Sequence, residues 1–219
     1  NKDTVHVPRR SGYPGEMIYV DLTGPYAETE DHYKYAMSVE DAFTRFATFY
    51  PLKDKSAKEV ASVLMSKHIS LWGCPQAAHS DQGSEFTNRL WKELMDQLQI
   101  KRKVQPPYNP HSNPVERVHR VLNQCLRVAA RREDRNWLKY LPAIQLAYNS
   151  KVHTATKCSP YLAMFGRECK LPCDLVMELP ESSSSTVHEF VKGNLQRFKK
   201  IYAYMLKNEG AVIERNSTL

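Results

Sequence analysis

Met17-Ile-Tyr-Val-Asp21-Leu22, Tyr35-Ala-Met-Ser-Val39 and Arg45-Phe-Ala-Thr-Phe-Tyr50 decide the fold class. Each run is β-branched or aromatic and is bounded by glycine, proline or charged clusters, the pattern of short strands. The gaps between them are too short for crossover helices, so the three strands form an antiparallel meander. The period then changes. Ser56-Ala-Lys-Glu59 reads as a capping box, and Ala57, Val60, Ala61, Leu64, His68 and Leu71 recur at helical spacing up to Gly73, with Pro75 beyond. Gln76-Ala-Ala-His-Ser80 is a fourth strand that delivers Asp81 to a Gln-Gly turn; residues 88–99 are helical and residues 100–105 form a fifth strand. The expectation is an α/β domain.

Pro106-Pro-Tyr-Asn-Pro-His-Ser-Asn113 carries three prolines and cannot be helix. Asn113-Pro114-Val115-Glu116 then supplies an N-cap, proline at N1 and glutamate at N3, which starts a long helix. Its apolar stripe is Val115, Val118, Leu122, Cys125, Leu126 and Ala129, and Glu116, Arg120, Asn123, Arg127 and Arg131 follow the opposite face. Residues 137–148 and 160–165 are two further helices. Residues 167–185 hold Pro172, Pro180 and four consecutive serines, a linker composition. Thr186-Val-His-Glu189 is a second capping box, opening a last helix with Val187, Phe190, Val191, Leu195, Phe198, Tyr202 and Met205 on one side.

The 219 residues carry 31 Lys+Arg against 24 Asp+Glu, and ten basic against three acidic residues lie between Lys101 and Lys139, so the whole net charge of +7 sits there. Such an excess suits a polyanion, nucleic-acid phosphates before an anionic membrane surface; its alternative reading is a solvated helix face. No apolar stretch long enough to span a bilayer and no leader pattern occurs, and the chain reads as a piece excised from a longer one. Five cysteines without a Cys-x-x-Cys point to reduced thiols and no zinc site.

Three carboxylates stand at element ends: Asp21 on the first strand, Asp81 after the fourth, and Glu116 in the first turn of the long helix. If strands one and four are neighbours, the two aspartates share a sheet edge, and a helix N-terminus packed nearby brings Glu116 to them. Carboxylates that close repel and call for hard cations, Mg²⁺ or Mn²⁺, which bind through a few carboxylates plus substrate phosphates. Two such ions support an in-line displacement at phosphorus. Each residue also has a purely structural reading: Glu116 as a capping partner, Asp21 as a turn former before Thr23-Gly24-Pro25, Asp81 as a turn residue before Gln82-Gly83.

Asp81-Gln-Gly-Ser-Glu-Phe86, Tyr108-Asn-Pro-His-Ser-Asn-Pro-Val-Glu-Arg117 and Val20-Asp21-Leu-Thr-Gly-Pro25 resemble the catalytic core of retroviral and long-terminal-repeat retrotransposon integrases, with the Ty3/gypsy group as the nearest type. The resemblance continues through Asn136-Trp-Leu-Lys-Tyr-Leu-Pro-Ala-Ile-Gln-Leu-Ala-Tyr148 and Ser159-Pro-Tyr-Leu-Ala-Met-Phe-Gly166. It implies an RNase H-like fold, a five-stranded mixed sheet flanked by helices, over residues 1–166, then the linker 167–185 and a connector helix in 186–219 leading toward a further domain. It implies Asp21, Asp81 and Glu116 as catalytic residues and ligands of two Mg²⁺ (or Mn²⁺) ions. It implies double-stranded DNA as the substrate, trimmed at its 3′ ends and then joined to a target. The likeness places Tyr108, Asn109 and Ser112 in the active-site loop, Ser84 at a target-DNA contact, and Arg120 and Asn123 on the face that meets donor DNA, which Arg127 and Arg131 continue. It further implies a homo-oligomer, a possible host-protein partner, no membrane association, and work in the nucleus after synthesis in the cytoplasm. One departure concerns spacing: 34 residues separate Asp81 from Glu116 where the family usually has 35, which implies a tighter loop before Pro114.

His79 is read as structural and His119 as lining the DNA face or covering core; neither is given a catalytic role. The rivals are an integrase-like protein that only binds DNA or a protein partner, and a plain RNase H-like nuclease. A glycosidase carboxylate pair gains nothing from the basic segment.

Overall fold

The computed structural model describes residues 11–81, 83–104, 115–130, 136–171, 193, 196 and 198–205, with backbone alone for 104, 115–117 and 128–130. Five strands appear: β1 (Met17–Thr23), β2 (Tyr35–Asp41), β3 (Ala47–Leu52), β4 (Ala77–Ser80) and β5 (Lys101–Val104). They form one sheet in the order β3-β2-β1-β4-β5. β1–β2 and β2–β3 are antiparallel, whereas β1–β4 and β4–β5 are parallel. The fold is RNase H-like, with the meander on one side of β1 and the crossover strands on the other.

Alternation along β1 gives the sheet two different faces. Ile18 and Val20 join Met37, Val39, Ala57, Val60, Leu64, Phe86, Trp91 and Met95 in the main buried cluster, under α1 (Ala57–Val63) and α4 (Arg89–Gln97). Met17, Tyr19 and Asp21 point the other way. On that second face lies α5 (Val115–Ala130), against β1 and β2. Val118, Leu122 and Leu126 of α5 are buried, a run of i+4 steps. Cys125, expected in the same stripe, is exposed, because the i+4 ridge already fills the contact and leaves an i+3 position outside it. The side chains of Val115 and Ala129 lie outside the described residues.

α1 departs from the expected straight helix. Ser56 caps it, its side chain accepting from Glu59 N at 3.3 Å, but the Ser56 N–H donates to Asp54 Oδ1 at 2.7 Å, so Asp54 takes the place that Glu59 has in a full capping box. After Val63 the helix widens into a π-helical stretch, Leu64–Ile69, before α2 (Ser70–Trp72). The wider turn rotates the residues beyond it. His68 and Ile69 are buried, but Leu71, expected on the buried stripe, is 77% exposed.

The strand expected from Arg45 begins at Ala47 instead. Asp41 explains the shift: its Oδ1 accepts from Thr44 N and Thr44 Oγ1, both at 2.7 Å, and from Phe43 N at 3.2 Å, building a turn that Arg45 closes with φ +65°. A short helix, α3 (Ser84–Thr87), precedes α4, and Asn88 caps α4 by accepting from Trp91 N at 2.9 Å. Trp137–Tyr140 is a 3₁₀ turn that leads into α6 (Leu141–Ser150).

Packing divides the chain into two compact units, meeting between Gln145 and Leu146. In the second, α7 (Pro160–Phe165) is capped by Ser159, which accepts from Leu162 N at 3.0 Å, and ends at Gly166 in the left-handed conformation. Residues 198–205 are helical, and the Phe198 ring sits where a side chain at Gly166 would be, 3.0 Å from its Cβ position. Met205 of the expected apolar stripe is buried there. Cys74, Cys125, Cys158 and Cys169 are free thiols; Cys173 lies outside the described residues.

Candidate active site

Parallel pairing of β1 with β4 sets Tyr19 opposite His79, and their rings stand 5.2 Å apart. Two residues further along each chain come Asp21 and Asp81. Because side chains alternate with a period of two, both aspartates leave the same face at the carboxyl ends of adjacent strands. Each is tied to nearby backbone: Asp21 Oδ1 accepts from Leu22 N at 2.8 Å, and Asp81 Oδ1 from Gly83 N at 2.9 Å. The Asp81 contact is the turn that its turn-former reading describes, whereas the Asp21 contact goes to the next residue of β1 and builds no turn. Glu116 is in the first turn of α5, on the helix that covers this face; its side chain lies outside the described residues.

His119, one turn beyond Glu116, reaches into the site. Its Nδ1 is 3.4 Å from Asp21 Oδ2 and its Nε2 2.9 Å from Ser38 Oγ. Ser38 is the cross-strand partner of Asp21 in β2, so all three residues share one face. Burial holds the His119 pKa down to about 4, and the ring is neutral at pH 7. Sequence reasoning missed this contact. The available signal was the i+3 spacing of His119 from Glu116 on the same helix.

Asn123, one turn further, is anchored from the sheet. Its Oδ1 accepts from the Tyr26 hydroxyl at 2.6 Å and lies 3.3 Å from Thr23 Oγ1. Tyr26 also meets Trp137, ring centroids 4.9 Å apart, and Trp137 Nε1 donates to Ala27 O at 2.9 Å. The chain reaches Tyr26 through Gly24, whose φ is +127° and whose missing Cβ would stand 2.7 Å from Lys34 O, a position only glycine fills. With its carbonyl engaged, Asn123 has its amide N–H groups to offer a ligand. Arg120 and Arg127 are exposed on α5, and Ser84 stands at the start of α3, its hydroxyl 3.3 Å from Glu85 Oε2. Tyr108, Asn109, Ser112 and Arg131 lie outside the described residues.

The donors at this edge are carboxylate oxygens, the chemistry that suits Mg²⁺ or Mn²⁺. Among the described residues no three His, Cys, Asp or Glu side chains group closely enough to hold a metal; the side chain of Glu116 is not among those described. His79 is half-buried against Tyr19, and burial together with the Lys103 charge lowers its pKa. No helix among the described residues is long and apolar enough to cross a membrane.

A five-stranded mixed sheet with two aspartates at the ends of its neighbouring parallel strands defines the RNase H-like class. Comparison with known proteins narrows this. Residues 13–110 match the integrase core domain family. The chain is 32% identical over 160 residues to the Pro-Pol polyprotein of feline foamy virus, covering 73% of this chain and 14% of the polyprotein. It is 29% identical over 205 residues to the human gypsy retrotransposon integrase-like protein 1, covering 94% of this chain and 37% of that protein. The chain thus spans well under half the length of these relatives. Among solved structures, a simian T-cell lymphotropic virus intasome in complex with PP2A regulatory subunit B56 gamma superposes with a TM-score of 0.62, at 22% identity over 82% of this chain and 62% of that one. The HTLV-2 integrase catalytic core in complex with magnesium, in a trimeric form, gives 0.57 at 17% identity over 71% of this chain and 99% of that one. This protein carries an integrase core domain of the retroviral and long-terminal-repeat retrotransposon kind.

Proposed function

We propose that the chain is the catalytic core of a DNA integrase, performing Mg²⁺-dependent 3′-end processing and strand transfer. The observation that carries this reading is the placement of Asp21 and Asp81 on one face of adjacent parallel strand ends, under the helix whose first turn holds Glu116. Asp21, Asp81 and Glu116 would hold two divalent cations. When bound, such ions activate an attacking oxygen and stabilise the leaving one in an in-line displacement at phosphorus. In processing, water cleaves a phosphodiester near the donor 3′ end and leaves a 3′-hydroxyl. In transfer, that hydroxyl attacks a target phosphodiester, and one such bond forms as another breaks, so no external energy source is required.

The rest of α5 holds the polyanion. Arg120 and Arg127 meet donor phosphates, the anchored Asn123 amide donates beside them, and Arg131 extends the row. Ser84, with Tyr108, Asn109 and Ser112 of the loop, faces the remaining DNA. The magnesium named with the HTLV-2 core and the dimeric and trimeric forms of that protein support the same cofactor and a multimer here. Residues 1–166 form this core, 167–185 link it to the helix within 186–219, and the reaction takes place in the nucleus.

The test is a gel assay with a labelled duplex and a pre-nicked branched DNA in Mg²⁺ or Mn²⁺, beside Glu116→Gln. Metal-dependent joining or its reversal on the branched substrate, lost in the variant, is expected. Hydrolysis without joining would replace the reading with a nuclease; DNA binding with neither reaction would leave an integrase-like binding module.

A further inference from the structure

We propose that His119 is a positioning residue for Asp21, its Nδ1–H holding the carboxylate's Oδ2 while Ser38 fixes the ring from the other side. This rests on the reading of Asp21 as a metal ligand. The geometry requires a proton on Nδ1 in either charge state of the ring. A carboxylate only accepts, so a lone pair on Nδ1 facing Oδ2 would be repulsive, and Nδ1 must carry the hydrogen. Nε2 then accepts from the Ser38 hydroxyl at 2.9 Å in the neutral ring; in the charged ring it donates to the same oxygen, and the Nδ1 contact at 3.4 Å keeps its sense.

Both oxygens of Asp21 are thereby addressed by N–H groups from different elements: Oδ1 by Leu22 N of β1 at 2.8 Å, Oδ2 by His119 of α5. Two donors in these positions fix the carboxylate plane. The ring also spans three elements, because Ser38 lies directly across the sheet from Asp21. Glu116 is three residues away on the same helix, so the contact that orients Asp21 also sets the register of α5, and with it Glu116, against β1. An unfixed His119 would leave Asp21 to sample other rotamers and would slacken the helix that carries the third carboxylate.

The experiment measures Mn²⁺ binding to the whole chain by electron paramagnetic resonance in the absence of DNA, for the wild type and the His119→Asn, His119→Leu, Ser38→Ala and Asp21→Asn variants. Nitrogen-15 spectra of the histidine rings accompany it. Expected are a protonated Nδ1 and unprotonated Nε2 on His119, Mn²⁺ binding about tenfold weaker in His119→Leu, recovery in His119→Asn, whose amide N–H falls near the Nδ1 position, and a smaller weakening in Ser38→Ala. If His119→Leu does not fold, the ring spectrum and Ser38→Ala decide. An Nε2–H tautomer, or unchanged Mn²⁺ binding in both His119→Leu and Ser38→Ala while Asp21→Asn abolishes it, would overturn the positioning role and leave the metal-site reading standing. Binding unaffected by Asp21→Asn would remove both.

Discussion

The Tyr26 hydroxyl donates to Asn123 Oδ1 at 2.6 Å across 97 residues of chain, pinning the middle of α5 to the segment just after β1. Burial raises the Tyr26 pKa, so the phenol keeps the proton it donates. Tyr26→Phe leaves the ring contact with Trp137 in place and removes this hydrogen bond together with the hydroxyl's 3.1 Å contact to Thr23 Oγ1. We expect a loss of about 1–2 kcal/mol, since a half-buried amide oxygen keeps only its weaker neighbour Thr23. Urea denaturation of the two proteins at neutral pH measures it, and equal midpoints would show that the contact does not hold the helix.

His68 predicts how stability depends on pH. It is 7% exposed, its Nδ1 is 3.0 Å from the Tyr50 hydroxyl and 3.4 Å from Thr48 Oγ1, and burial lowers its pKa to about 4. The unfolded chain binds a proton near pH 6.5 and the folded chain does not until about pH 4, so the ring's contribution is complete above pH 6.5 and is lost as pH falls through the folded value. The loss is on the order of 2–3 kcal/mol. Carboxylates titrate over part of the same range. The informative quantity is therefore the difference between wild type and His68→Gln, which should shrink from pH 7.5 to pH 4.5; a difference constant with pH would contradict a neutral buried ring.

The π-helical stretch gives Leu64 and Leu71 opposite fates that their spacing conceals. Leu64 is fully buried, and Leu64→Ala should cost about 2–5 kcal/mol. Leu71 is exposed, and Leu71→Lys should move stability by no more than about 0.5 kcal/mol. Thermal denaturation separates the two; a large loss at Leu71 would mean that the helix runs straight or that this residue is covered in an assembly.

The range of each interaction decides whether sequence reveals it. β1, β2, the Ser56 cap and the helix at residues 160–165 depend on neighbours in the chain, and they stand where the residue patterns put them; the expected cap of α5 at Asn113 and Pro114 lies outside the described residues. The π-helical turn was hidden because periodicity assumes 3.6 residues per turn throughout, and one extra residue moved Leu71 out without altering the pattern before it. Arg45 read as strand because it precedes a β-rich run, while the turn that excludes it is built by Asp41 from four residues back. The neighbouring of β1 and β4 was a condition, not a deduction, since parallel pairing leaves no local mark. His119 and Asn123 were visible as members of a helix face, yet their partners Asp21, Ser38 and Tyr26 come from the other end of the chain, and no spacing rule links them.

The basic row on α5 yields the most direct check of the DNA reading. Arg120 and Arg127 are exposed, four and eleven residues beyond Glu116, and Asn123 lies between them with its amide donors available. Contacts of this kind are made to phosphates, which carry no sequence information and release counterions on binding. Arg120→Ala and Arg127→Ala should each weaken binding to unrelated duplexes alike and flatten the slope of log affinity against log salt by about one. Their folding stability should change by less than about 0.5 kcal/mol, since neither side chain is buried. Fluorescence anisotropy across a salt series supplies the slopes. An unaltered slope in both variants would mean that DNA lies elsewhere on the core and that this face of α5 is merely solvated.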